Sequence, residues 1–91
     1  MANSGGMKET HRVAVINKKQ YTPTLASAFV KDLDSFDTFS IKFQGRNDVN
    51  SLMNTIDKGR ALIVEGYMGT TKYGRELAVQ SFECMKKKET N

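Results

Sequence analysis

Two short segments of this chain combine basic and aromatic residues. Lys18–Tyr21 is Lys-Lys-Gln-Tyr, and Lys72–Arg75 is Lys-Tyr-Gly-Arg. Cationic side chains can bind phosphates, and the flat face of a tyrosine ring can stack on any base. The pattern therefore suits contact with a nucleic-acid strand, although both tyrosines could instead be ordinary amphipathic loop residues.

The overall composition favours a polyanionic partner and offers no chemistry for an enzyme. The chain has 14 Lys and Arg residues against 10 Asp and Glu residues, a net charge of +4, and a basic excess attracts polyanions. The single cysteine, Cys84, and the single histidine, His11, cannot form a disulfide or a Cys/His zinc site. No catalytic or phosphate-binding motif is present. We therefore predict that the protein is not an enzyme and has no metal and no cofactor.

The 91 residues suffice for one small domain. Residues 1–10 are polar and rich in Gly and Ser, which predicts a flexible leader. Residues 86–91 form a short basic tail, whose lysines are either simply solvated or add weak attraction for phosphates. This leaves 11–85 as the folded domain. No apolar run approaches the ~20 residues that span a membrane, so we expect a cytoplasmic protein without a membrane partner.

The elements that must position the basic and aromatic segments are mostly strands. Val13–Ile16 is a β-branched run that predicts a strand with both faces covered. Lys18–Thr24 contains Pro23, which cannot donate to a ladder, so we expect a loop or a strand edge. Leu25–Asp32 predicts a second strand, although its apolar spacing also suits a helix. Asp32, Asp34 and Asp37 then predict an acidic turn that repels DNA from its edge.

A third strand and a helix follow. Thr38–Gln44 alternates apolar and polar residues with the period of a half-buried strand. A helix is predicted at 47–58, with Asn47 as N-cap and Gly59 as C-cap. Its apolar stripe follows helical spacing and comprises Val49, Leu52, Met53 and Ile56. The phenylalanines with core spacing are Phe39, Phe43 and Phe82, whereas Phe29 and Phe36 have no assigned face.

The last two strands are predicted at Arg60–Met68 and Arg75–Cys84, joined by a hairpin over Gly69–Gly74. The chain then has five strands with a helix between the third and the fourth. This is the element order of the OB fold, a partly open Greek-key barrel. Tyr67 alternates with Glu65 on the fourth strand, where it either stacks on a base or packs across strands.

Several of these segments resemble bacterial-type single-stranded DNA-binding proteins. Thr38–Gly45, Asp57–Gly59, Ala61–Gly66 and Thr70–Tyr73 resemble the C-terminal half of that family, in which a helix ending in Lys-Gly precedes a strand and a basic hairpin with an aromatic residue. His11–Asn17 is similar to its opening strand. The resemblance implies an OB fold that binds single-stranded DNA, and it is also the reason for preferring DNA to RNA.

The resemblance also implies roles for individual residues. Lys72 and Tyr73 would occupy the DNA-contacting hairpin, with Tyr73 stacking on a base. Arg12, Lys42 and Arg46 would lie near the groove that follows the DNA backbone. Together with the two basic and aromatic segments and the fourth strand, the candidate nucleic-acid-binding residues are Arg12, Lys18, Lys19, Tyr21, Lys42, Arg46, Tyr67, Lys72, Tyr73 and Arg75.

The chain departs from that family in three respects. The DNA face of the third strand carries Thr38, Ser40 and Lys42 in place of aromatic residues, and the loop before this strand is very short. The family's acidic-tipped tail, which recruits partner enzymes, has no counterpart. Tail-less primosomal relatives and small phage proteins share this last feature, which favours a phage, plasmid or mobile-element protein, located in the host cytoplasm or with the nucleoid.

These observations lead to one function hypothesis and two alternatives. The main hypothesis is sequence-tolerant binding of single-stranded DNA in replication, recombination or repair, by a homo-oligomer that pairs through its apolar first strand. The first alternative is an OB-fold interaction subunit of a replication or recombination complex that touches DNA little. The second is a small enzyme or an enzyme inhibitor, for which no catalytic residues are visible.

Overall fold

Five strands and one helix make up the part of the chain that the computed structural model describes, residues 8–85. The elements are β1 (Lys8–Thr22), β2 (Leu25–Asp32), β3 (Thr38–Gln44), α1 (Arg46–Asn54), β4 (Ala61–Thr71) and β5 (Gly74–Cys84). The strands close into a barrel in the order β1-β2-β3-β5-β4. Only β3 and β5 pair in parallel within these residues. This closed Greek-key barrel, with its helix between β3 and β4, is the OB fold that the element order predicts.

The barrel core follows the alternation of the strands. Phe39, Ile41 and Phe43 of β3 all point inward, as the period of Thr38–Gln44 predicts. β2 also alternates, so Leu25–Asp32 is a strand and the helical alternative is wrong. Phe82 is half-buried and packs edge-on against Phe43, with 5.0 Å between ring centroids. Full burial of each large apolar side chain contributes roughly 1.5–3 kcal/mol.

β1 is longer than predicted at both ends. It begins at Lys8, within the expected leader, and continues to Thr22, so only Pro23 and Thr24 of the expected Lys18–Thr24 loop form a turn. Register shifts after Val15 and after Gln20 bend the strand and let it stay paired with β2. Val13 and Val15 are buried and Ile16 alternates outward, where 44% of it is exposed, so the prediction that both faces of this run are covered is wrong at that residue. The remaining leader residues, 1–7, and the tail, 86–91, lie outside the described residues.

The helix is shorter than predicted, and both of its predicted caps are wrong. The N-cap is Gly45 rather than Asn47, because the sharp turn out of β3 needs a residue at φ +97°. The C-cap is Thr55 rather than Gly59, whose N–H donates instead to the Val15 carbonyl over 2.6 Å. Ile56 lies beyond the helix but is fully buried, so the apolar stripe still closes one end of the barrel.

A lysine takes the place of a C-terminal glycine cap. The ammonium of Lys18 donates to the carbonyls of Leu52 (3.2 Å), Met53 (3.3 Å) and Ile56 (2.5 Å). Leu52 and Met53 lie in the last turn of α1 and Ile56 follows it, and the carbonyls at a helix end need partners from outside the helix. Lys18 supplies them and thereby ties α1 to β1.

Candidate nucleic-acid interface

The outer surface of β1, β2 and β3 presents two aromatic rings to solvent. Because Ala26, Ala28 and Val30 of β2 point into the barrel, Phe29 points outward, and 43% of it is exposed. It lies between Asn17 of β1 and Ser40 of β3 in the strand register.

Tyr21 is the second ring on this surface. It is 55% exposed, and its hydroxyl accepts a hydrogen bond from Ser27 over 3.4 Å. The ammonium of Lys19 lies 5.2 Å from the centre of the Tyr21 ring, a cation–π distance. We call this surface the aromatic face. At its centre is a shallow depression of about 120 Å³, lined by Asn17, Lys18, Lys19, Tyr21, Ser27, Phe29 and Ser40.

Three lysines supply positive charge to the aromatic face. Lys19, Ser27 and Lys42 form one cross-strand row, and Lys31 lies four residues beyond Ser27 on β2. Within residues 8–85, none of these lysines forms an ion pair with a carboxylate. Their charge is therefore available to an anionic partner.

The β4–β5 hairpin carries the third candidate ring. Tyr73 is 89% exposed, and the ammonium of Lys72 lies 5.2 Å from its ring centre. Thr71 fixes the turn: its hydroxyl donates to the Gly74 carbonyl over 3.1 Å and accepts the N–H of Tyr73 over 3.0 Å. The tip therefore has the exposed aromatic residue and the adjacent lysine that the sequence predicts.

Three of the predicted cations have partners inside the protein. Arg12 is ion-paired and hydrogen-bonded with Asp34, which raises the pKa of Arg12. Arg75 lies 3.7 Å from Asp37 and over the Phe39 ring, whereas the cation over the Tyr73 ring is Lys72. Lys18 is bound to the end of α1. Each of these side chains thus has an intramolecular partner that is distant in sequence. The two arginine pairs are exposed, whereas the Lys18 contacts are partly buried.

The remaining candidates lie at the borders of the face. Arg46 begins α1 and is exposed. It lies near the β1–β2 turn, because the N–H of the preceding Gly45 donates to the Thr24 carbonyl. Tyr67 is half-exposed on β4, where it pairs with Lys8 of β1 on one side. On the other side it pairs with Ala78 of β5, which is also the strand partner of Lys42.

His11 bridges two carboxylates at the opposite end of β2 from Tyr21. Its Nδ1 lies 2.7 Å from Asp32 and its Nε2 lies 2.8 Å from Glu9. Partial burial lowers the pKa of His11, but the two carboxylates outweigh burial and raise that pKa above 6.5. Burial raises the pKa of Asp32, but the N–H groups of Ser35 and Asp34 and the His11 contact lower it below 3.8.

Phe29 and Lys31 are candidate interface residues that were not predicted from the sequence. The available signal was the alternation of Leu25–Asp32, which places both on the outer side once that segment is assigned as a strand. Residues 8–85 include no group of three or more His, Cys, Asp or Glu side chains placed to hold a metal ion. Nor do they include a helix long and apolar enough to cross a membrane.

Barrel closure, strand order and the position of the helix define this chain as an OB-fold protein. It is similar to a chain of the S. pombe Stn1–Ten1 complex, with a TM-score of 0.70 and 18% identity over 88% of this chain and 59% of that chain. It is also similar to Rim1, a mitochondrial single-stranded DNA-binding protein of S. cerevisiae, with a TM-score of 0.64 and 15% identity over 91% and 97% of the two chains. No protein-family model and no curated protein matches it.

Proposed function

We propose that this protein binds single-stranded DNA with little sequence preference, through the aromatic face and the tip of the β4–β5 hairpin. The observation that carries the proposal is the pair of exposed rings, Tyr21 and Phe29, beside Lys19 and Lys42. Stacking on a ring is worth about 1–3 kcal/mol per base and does not depend on which base it is.

The position of these residues on the fold supports the same proposal. OB folds bind oligonucleotides with the face of strands 2 and 3 and with the loops that follow strands 1 and 4. Phe29 lies on that face, Tyr21 lies beside the first loop, and Tyr73 lies in the second. One of the two structural relatives is named as a single-stranded DNA-binding protein. We place the function in DNA replication, recombination or repair, on the strength of the family resemblance.

A second candidate is an interaction subunit of a replication or recombination complex with little DNA contact. β3 contributes Thr38, Ser40 and Lys42 to the outer surface and no aromatic residue. One structural relative comes from a protein complex. We favour DNA binding, because β1 and β2 supply the rings that β3 lacks.

The test is a titration of labelled oligo-dT at two salt concentrations. Phe29→Ala and Tyr21→Ala should each weaken binding by roughly 1–3 kcal/mol, because each removes a stacking surface. Phe29→Tyr, the matched control, keeps an aromatic ring and should bind like the wild type. The wild-type log affinity should fall linearly with log salt, with a slope of about −0.7 per neutralised phosphate. Preference for duplex DNA, or normal binding by both alanine variants, would contradict the proposal.

A further inference from the structure

The β2–β3 loop, Leu33–Asp37, contains an exposed aromatic residue, Phe36, whose backbone conformation is unfavourable. Phe36 is 67% exposed, more than any other phenylalanine within residues 8–85, and its φ is +66°. The left-handed region is unfavourable for a bulky residue and persists only where the surrounding structure imposes it. Such residues are concentrated at active sites and ligand-binding sites, so this ring is a candidate contact for a ligand.

Hydrogen bonds hold the loop in this conformation. The side-chain carboxylate of Asp32 accepts hydrogen bonds from the N–H groups of Asp34 (2.8 Å) and Ser35 (3.0 Å). The backbone carbonyl of Asp32 accepts a hydrogen bond from the N–H of Phe36 (2.9 Å). The loop closes where the N–H of Asp32 donates to the Asp37 carbonyl over 2.7 Å. The backbone beneath the ring is therefore ordered before any ligand arrives, which lowers the entropic cost of binding.

The ring continues the aromatic face in one direction along β2. The ammonium of Lys31 lies 5.3 Å from the centre of the Phe36 ring. Lys31 follows Phe29 by two residues on the same outer side of β2, a distance of about 7 Å along the strand. Tyr21, Phe29 and Phe36 therefore follow one another along this side of the barrel, with Lys19 beside the first ring and Lys31 beside the last.

The charges around Phe36 favour a nucleic-acid strand over a basic protein partner. The sequence predicts an acidic turn that repels DNA, but Asp34 is paired with Arg12, and Asp37 lies 3.7 Å from Arg75. The loop carboxylates are thus largely compensated within the protein. Lys31, which forms no ion pair within residues 8–85, remains to attract a phosphate.

We propose that Phe36 is a further base-stacking residue, at the end of the DNA track that begins at Tyr21 and passes over Phe29. The inference rests on the proposed function and extends it, because it lengthens the track to include the β2–β3 loop. Phe36 then contributes only to strands long enough to reach from the aromatic face to the loop.

The test compares two lengths of labelled oligo-dT, about 4 and about 12 nucleotides, which lie within the range bound by one OB fold. Phe36→Gly removes the ring and suits the positive φ, so the melting temperature should not fall. This variant should bind the longer strand about 5- to 150-fold more weakly and the shorter strand normally. Phe36→Tyr should restore binding of the longer strand, whereas Phe36→Leu, which keeps apolar bulk without an aromatic face, should not.

Phe29→Ala separates this inference from the proposed function. If Phe36→Gly binds the longer strand as the wild type does while Phe29→Ala binds it weakly, the extension to the loop is wrong and the proposed function stands. If Phe36→Gly, Phe29→Ala and Tyr21→Ala all bind normally, the proposed function is wrong as well. Equal losses for Phe36→Gly on both lengths would also overturn the inference, because they would place the ring within the track rather than at its end.

Discussion

Exposure and neighbouring charge give each aromatic residue its role. Phe39 and Phe43 are buried and stabilise the barrel, whereas Tyr21, Phe29 and Tyr73 expose ring faces next to strands or turns that hold them in place. The rings of Tyr21 and Tyr73 each have a lysine ammonium 5.2 Å from their centres. A ring with an adjacent cation can accept a base and bind its phosphate at the same time.

At this scale the first prediction concerns Tyr73. Tyr73→Ala should weaken oligo-dT binding by roughly 1–3 kcal/mol, because the stacking surface is lost. The free energy of unfolding should hardly change, because 89% of the residue is exposed. Tyr73→Phe serves as the control and should bind nearly as well as the wild type. Fluorescence titration and urea unfolding of the same samples check both parts, and a large loss of stability would show that the ring is structural.

Individual strands and the helix depend on contacts with neighbouring elements. Gly66 shows this within β4, at the register shift between Glu65 and Gly66. A Cβ there would lie 2.0 Å from the Ala78 carbonyl oxygen of β5, so only glycine lets the two strands approach this closely. α1 likewise depends on β1, because Lys18 supplies the partners for the carbonyls at its end.

The prediction at the element scale contrasts Lys18 with Lys19. Lys18→Met keeps the length of the side chain but removes the donor, so the carbonyls of α1 lose their partner and unfolding should become easier by about 1–3 kcal/mol. Lys19→Met, the matched control, changes an exposed residue and should alter stability by less than about 0.5 kcal/mol. Lys19→Met should instead make the slope of log affinity for oligo-dT against log salt less negative by about 0.7. Equal stability of the two variants would contradict the capping role of Lys18.

Three titratable side chains, His11, Asp32 and Glu9, form a hydrogen-bonded cluster near the β2–β3 loop. Carboxylates only accept hydrogen bonds, so His11 can donate to both Asp32 and Glu9 only as the imidazolium. Its ring also packs edge-on against Phe39, with 5.2 Å between centroids. The protonated His11 thus joins β1 to β2 at the point where Asp32 organises the loop.

The pH dependence of stability follows from these two groups. The pKa of His11 is raised in the folded state, so its contribution is complete below pH 6.5 and disappears as the pH rises through the folded value. The pKa of Asp32 is lowered, so its contribution is present above pH 3.8 and disappears as the pH falls through the folded value. Urea unfolding should therefore show the free energy of unfolding decreasing as the pH rises above 6.5. His11→Gln should flatten this decrease, and an unchanged profile in that variant would contradict it.

Much of the fold can be predicted from neighbouring residues alone. The alternation of Thr38–Gln44 and the apolar stripe that begins at Val49 are local patterns, and each gives its element in the structure. The hairpin is also present, but its turn is shorter than the predicted Gly69–Gly74, because β4 continues through Gly69 to Thr71. Local spacing determines such elements because side chains two residues apart share a strand face, and those three or four apart share a helix face. The exposure of Tyr73 at a hairpin tip is predictable for the same reason.

The composition of the candidate site depended on the tertiary structure. Arg12 and Asp34 are 22 residues apart in sequence, and Lys18 lies 34 to 38 residues from the carbonyls it binds. No local sequence pattern indicates such contacts, so Arg12 and Lys18 were both predicted from the sequence to be free to bind DNA. Phe29 became a candidate once Leu25–Asp32 was assigned as a strand rather than a helix, and Phe36 only when the conformation of the β2–β3 loop showed its ring on the outside. Charge is set by composition, but its availability depends on which acceptors the fold brings within hydrogen-bonding distance.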